Sequence, residues 1–140
     1  VIPTPDYYVL ALGYYNGDGI ADIAVFRPGS SLWAIRDCTR CYFGQSGDKP
    51  VPGIYEWYAD KSSNPFVNQL AIFRPSTGLW AIRGMERSYF GVSGDYPVPA
   101  DYSGNALDGV AIFRPASGLW AIQGLTRVYY GAVGDYPLAR

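Results

Sequence analysis

The loop Asn16-Gly17-Asp18-Gly19-Ile20-Ala21-Asp22 places side-chain oxygens at alternating positions with glycine between them. Calcium binding needs such a pattern, because several hard oxygen ligands must be drawn around one ion by a tightly curling backbone. Asn16, Asp18 and Asp22 are therefore candidate calcium ligands, and calcium is the one cofactor the sequence suggests. Asp101, Ser103 and Asn105 form a weaker second candidate, with Asp108 one residue out of phase and Gly109 where Asp22 would be. A longer stretch holding Asp60, Asn64 and Asn68 has no recognisable ligand spacing. The competing reading of all three loops is that Asn, Asp and Gly simply make turns.

Cys38 and Cys41 flank a hairpin reversal, and residues three apart across a turn come within bridging distance, so a local disulfide is expected. Zinc is disfavoured, because no second Cys pair and no His exists to complete four ligands. The lack of His also removes Ser-His-Asp, Cys-His and His-based acid-base catalysis. Glu56 and Glu86 are the only Glu residues, and the recurring Asp residues sit in Gly-Asp turns, so a non-catalytic protein is expected.

Two charged positions recur. Arg27, Arg74 and Arg114 alternate along the chain with Asp48, Asp95 and Asp135, which suggests an Arg–carboxylate bond pinning a turn within each unit. The alternative is a recurring ligand-binding arginine. Trp33, Trp80 and Trp120 pose a similar choice between core packing and stacking on a sugar face. The doublets Tyr7-Tyr8, Tyr14-Tyr15 and Tyr129-Tyr130 send one ring inward and one outward on a strand, and outward rings suit either an interface or a sheet edge.

These residues are positioned by a repeat. Ala71 to Ile82 and Ala111 to Ile122 share Ala-Ile-Phe-Arg-Pro-x-x-Gly-Leu-Trp-Ala-Ile, and Ala24 to Ile35 is a looser copy. Pro3, Pro50, Pro97 and Pro137 read as one equivalent position, which sets a single domain over 1–140 with repeats at about 3–49, 50–96 and 97–140. Leu79-Trp80-Ala81-Ile82-Arg83 alternates as a strand, with Trp80 and Ile82 on one face and Leu79, Ala81 and Arg83 on the other. Pro75 ends the strand before it and Ser76-Thr77-Gly78 supplies the turn. Arg87 to Phe90 returns, and Tyr96-Pro97-Val98-Pro99 is an extended edge. The fold class is thus all-β, three tandem four-stranded antiparallel repeats of 40–47 residues, with a closed three-fold β-trefoil-like monomer as the alternative.

Phe-Arg-Pro-x-x-Gly-x-Trp, Gly-x-x-Gly-Asp-x-Pro-Val-Pro and the Asp/Asn/Gly-rich loop before Asp-Ile-Ala-Val-Phe-Arg-Pro together resemble the FG-GAP and VCBS-type repeats of bacterial extracellular proteins. The resemblance implies propeller-like blades, an extracellular or cell-surface location, adhesion, carbohydrate contact, and calcium in the acidic loops. Tyr14 stands where that family's first acidic ligand would be.

Sixteen per cent charged residues and a formal charge of −1 give no electrostatic case for nucleic acid or acidic membranes. No apolar run reaches the roughly 18 residues of a spanning helix, so no membrane insertion is expected. The start at Val1, without Met or a signal-peptide pattern, reads as a mature form or an excised piece. No Asn-x-Ser/Thr acceptor is present. Three blades do not easily close a ring, and open strand edges must be covered. The expected function is a secreted structural or adhesive protein that self-associates head to tail as a ring or filament, its leading segment Val1 to Leu12 lying on a neighbour. The alternative is a lectin-like module binding glycans near the Trp and Tyr residues.

Overall fold

The computed structural model of the chain describes residues 13–56 and 67–138. Within these residues the chain is all strands and turns, and no helix is long and apolar enough to cross a membrane. A three-stranded sheet comes first, with β1 (Ala24–Arg27), β2 (Leu32–Ile35) and β3 (Thr39–Tyr42) paired in that order. A four-stranded sheet follows, β4 (Lys49–Pro50), β5 (Ala71–Arg74), β6 (Leu79–Ile82) and β7 (Ser88–Tyr89). The last is β8 (Tyr96–Pro97), β9 (Ala111–Arg114), β10 (Leu119–Ile122) and β11 (Thr126–Tyr129). Every pairing is antiparallel between chain neighbours, and none of the three sheets closes on itself. The closed three-fold alternative therefore finds no closure among the described residues.

The repeat motif builds one hairpin three times. Phe26 faces Trp33, Phe73 faces Trp80 and Phe113 faces Trp120 across the strands, with ring centroids 5.0, 5.3 and 5.0 Å apart. Such tilted contacts are the favoured geometry for aromatic pairs. Each Trp Nε1 then donates to a carbonyl ten residues on, at Phe43, Phe90 and Tyr130, tying in the third strand. In the second hairpin Gly78 takes φ 74° and donates its amide to Arg74 O at 2.8 Å. A side chain there would put its Cβ 2.4 Å from Gly91 O, which only glycine avoids.

Both faces of a sheet are apolar because the sheets stack. Trp33 and Ile35 of the first sheet share a core with Leu70, Ile72, Leu79 and Ala81 of the second unit. Phe73, Trp80 and Ile82, on the opposite face of the second sheet, share another with Ile112, Leu119 and Ala121 of the third. The alternation expected for Leu79 to Ile82 is thus observed, with a neighbouring sheet on each side.

The units differ from the expected phasing. Bridges Gly13 to Asp22, Gly53 to Gln69 and Ala100 to Gly109 occupy one place in successive units. Counting back three residues from each, Leu10 and not Pro3 holds in the first unit the place of Pro50 and Pro97. The sequence between the bridged residues Gly53 and Gln69 is longer than that between Gly13 and Asp22 or between Ala100 and Gly109, and that difference misled the spacing of the prolines.

Candidate functional site: the joints between units

The recurring Arg and Asp residues meet, but across the boundary between units and not within one. Asp48 closes its own turn by accepting the Gln45 amide at 2.8 Å. Its carboxylate then takes Arg74 of the next unit in a two-pronged bond, Nε to Oδ1 at 2.7 Å and Nη2 to Oδ2 at 2.9 Å. Asp95 repeats the arrangement, with the Val92 amide at 2.8 Å and Arg114 at 2.8 and 3.0 Å. The planar guanidinium suits this paired geometry, and the bond to its Asp raises the pKa of each arginine against the lowering effect of burial. Pairing across the boundary leaves one residue over at each end. Among the described residues no ion pair reaches Arg27, and Asp135 accepts the Ala132 amide at 2.7 Å in its own turn while remaining exposed.

A second polar contact crosses each joint. Asn68 accepts the Tyr14 amide at 2.9 Å and returns its own amide to Tyr14 O at 2.7 Å. Asp108 does the same with Ile54, at 2.8 and 2.7 Å. These side chains lie against Gly13 and Gly53, where a Cβ would approach within 2.6 and 2.5 Å. Sequence reasoning assigned neither residue to a joint. Their shared place, one residue before the bridge residues Gln69 and Gly109, was the signal, obscured by the unequal loops.

The calcium candidates are occupied by the backbone. Asp22 Oδ2 accepts the amides of Tyr15 and Asn16 at 2.7 and 3.2 Å, and Asn16 Nδ2 donates to Asp22 Oδ1 at 2.9 Å. Gln69 caps Tyr55 and Glu56 in the same way in the second unit, so this is a structural role shared by a carboxylate and an amide. Asn16 and Asp18 accept the amides two residues on, as turn-forming side chains do. Asp101 receives the amides of Ser103, Gly104, Asn105 and Ala106, and Asn105 that of Leu107. Desolvation pushes the Asp101 carboxyl up, but the four amides outweigh it and hold its pKa below the ordinary value. Among the described residues no three or more His, Cys, Asp or Glu gather in a way that could hold a metal ion. Asp60 and Asn64 lie outside the described residues.

Cys38 and Cys41 are free thiols, contrary to the expected disulfide. The turn runs from Ile35 to Cys38, whose amide donates to Ile35 O at 3.1 Å, so Cys38 ends the turn and Cys41 lies beyond it. Cys41 sits in β3 opposite Trp33, and the extended advance of about 3.3 Å per residue separates the two cysteines. Burial first, then the charge of Asp22, pushes the Cys38 thiol above its ordinary pKa.

Trp33 and Trp80 are fully buried, which makes them core residues and not sugar platforms. Trp120 has the same ring partner and the same hydrogen bond but is only half-buried. Tyr15 is in the core and Tyr14 faces out, as a doublet should. Tyr129 and Tyr130 are both exposed, and among the described residues nothing covers Tyr130 as the following units cover Phe43 and Phe90. Tyr7 and Tyr8 lie outside the described residues.

No protein-family model, curated protein or solved structure matches the chain.

Proposed function

We propose that the chain is a non-catalytic, self-assembling structural module whose copies join head to tail into a ring or filament. One observation carries this reading. The three sheets form an open stack, each joint uses the same two faces, and one copy of each face is left over at the ends. The last unit presents Trp120 partly exposed where Trp33 and Trp80 are fully covered. The first presents Val25 at 55% exposure where Ile72 and Ile112 are each at 1%. Unpaired apolar faces and strand edges are features that native proteins cover, and a non-closing contact between unlike ends propagates. The resemblance to FG-GAP and VCBS-type repeats supports placing such an assembly outside a bacterial cell or on its surface, in an adhesive role.

A lectin-like module is the second reading, favoured by the exposed Tyr129, Tyr130 and partly exposed Trp120 on one end of the stack. Electron microscopy and light scattering of the purified chain at rising concentration separate the two. Rings or fibres unaffected by free sugars are expected. A particle of 15.4 kDa at every concentration, with Trp fluorescence responding to glycans, contradicts self-assembly and favours the lectin.

A further inference from the structure

We infer that the C-terminal turn and strand of one copy, Gly134-Asp135-Tyr136-Pro137-Leu138, dock on the first sheet of a second copy, with Asp135 pairing Arg27 there. This rests on the self-assembly reading and specifies its contact. The template is the joint seen twice within the chain. At each internal joint a Gly-Asp-x-Pro segment leaves one unit, its Asp binds the arginine of the next, and its x-Pro becomes that unit's first strand. Lys49 and Pro50 pair with Phe73 and Ile72, and Tyr96 and Pro97 with Phe113 and Ile112. The following valine then donates its amide, Val51 to Ala71 O at 2.8 Å and Val98 to Ala111 O at 2.9 Å.

The tail has the Gly-Asp-x-Pro sequence of that segment followed by an aliphatic residue, and among the described residues it keeps the turn contact of Asp135 with the Ala132 amide but makes none of the contacts to a next unit. Leu138 is 91% exposed, where Val51 and Val98 are 0% and 5%. Tyr136 and Pro137 are not in a strand, and among the described residues no guanidinium pairs with Asp135. The receiving end is the first sheet, whose three strands leave β1 at the edge of the ladder among the described residues. Ile23 and Val25 are exposed on its outer face beside Arg27, bordering a hollow of about 350 Å³ also lined by Ala34, Arg36 and Arg40. Leu32 of the same face is already covered, so the surface on offer is the half nearest β1.

Fit at two further points matches the internal joints. Gly44 and Gly91 stand close to Ile72 and Ile112 of the next unit, with a built Cβ 3.2 and 3.0 Å from their Cγ2 atoms. Among the described residues Gly131 meets only its own Asp135, while the position of those isoleucines at the head is Val25, another β-branched side chain. Where Gly13 and Gly53 make room for Asn68 and Asp108, the tail has Ala100 and the head has Ala21. An added methyl therefore meets a shortened side chain, so the end-to-end joint is sterically matched. Within the chain, the residue at the phase of Asp48 and Asp95 ahead of Arg27 is Tyr8, which has no carboxylate to offer.

Charge exchange tests this. Arg27→Asp and Asp135→Arg variants are purified singly and mixed in equal amounts, alongside the unaltered chain, and their masses followed by light scattering. Each variant alone should stay near 15.4 kDa, because like charges face each other at every joint. The mixture should regain the assembly of the unaltered chain, since every head then meets a tail of opposite sign. Both sites are exposed, and unchanged near-ultraviolet circular dichroism confirms folding. Leu138→Lys, at a site too exposed to affect the monomer, should also reduce assembly. Variants that assemble like the unaltered chain, or a mixture that stays monomeric, overturn the Arg27–Asp135 joint while leaving self-assembly standing. Residues 1–12 of the same chain covering β1 would give that first outcome. An unaltered chain that remains monomeric removes both.

Discussion

Ser31 occupies the place of Gly78 and Gly118 but is not a glycine. It holds φ 57°, is 2% exposed, and its hydroxyl has no hydrogen-bond partner. A left-handed backbone costs a non-glycine residue about 1–2 kcal/mol, and a buried hydroxyl without a partner adds to that. Ser31→Gly should therefore raise stability by about 1 kcal/mol after the entropy of glycine is offset, read as a higher midpoint in urea. Tyr102 gives a second residue-scale test. Burial first, then the charge of Asp108, pushes its phenol up to about 12, while its hydroxyl donates to Val98 O at 2.6 Å. The folded state thus favours the protonated ring, so its contribution is complete below about pH 10 and is lost as pH rises from there towards the folded value. The stability difference between the native chain and Tyr102→Phe should shift in favour of the variant between pH 9 and 11, and a constant difference would refute the assignment. At this scale the sequence was legible for the recurring Arg and Asp residues, which were expected to pair and do so at both internal joints, though across units, while Trp33 and Trp80 are core at positions where the sequence left core and sugar contact open. It was less legible for Asp22 and Asp101, because a carboxylate that caps amides and one that binds calcium occupy the same kind of loop.

The strands were readable because their signals are local. Alternation, a proline that ends a ladder and a glycine in the following turn lie within a dozen residues, and β5, β6, β9 and β10 fall where those signals put them. The joints were not readable, because they depend on which sheet a turn faces. Arg and Asp in fixed phase look the same whether they close one unit or couple two, and the long loop of the second unit concealed the phase of the first. Cys38 and Cys41 failed for a related reason, the turn ending at Cys38 instead of falling between the two. The inter-unit pairs can be tested by comparing positions. Asp95 is 2% exposed and holds Arg114, so Asp95→Ala should cost about 2–3 kcal/mol. That is below the usual cost of breaking a fully buried pair, because the Arg114 side chain keeps 34% of its exposure. In a dilute monomer Asp135→Ala should cost far less, losing only the Ala132 amide contact. Equal losses at the two sites in chemical denaturation would mean that Asp135 already has a partner within the chain.

For the whole molecule, three units in an open stack make two joints and leave the parts of a third divided between its ends. The last unit carries the tail strand, Trp120 and Asp135, and the first carries β1, Val25 and Arg27. Repeat proteins draw stability from each unit and from its contacts with neighbours, so a missing neighbour is a missing share of that stability. On the proposed assembly, a second copy would add contacts of the kind that already hold the chain together. The mass of the purified chain by light scattering across rising concentration tests this most directly. The account predicts species larger than 15.4 kDa that grow with concentration, as each new joint buries an end; a constant 15.4 kDa throughout would contradict it.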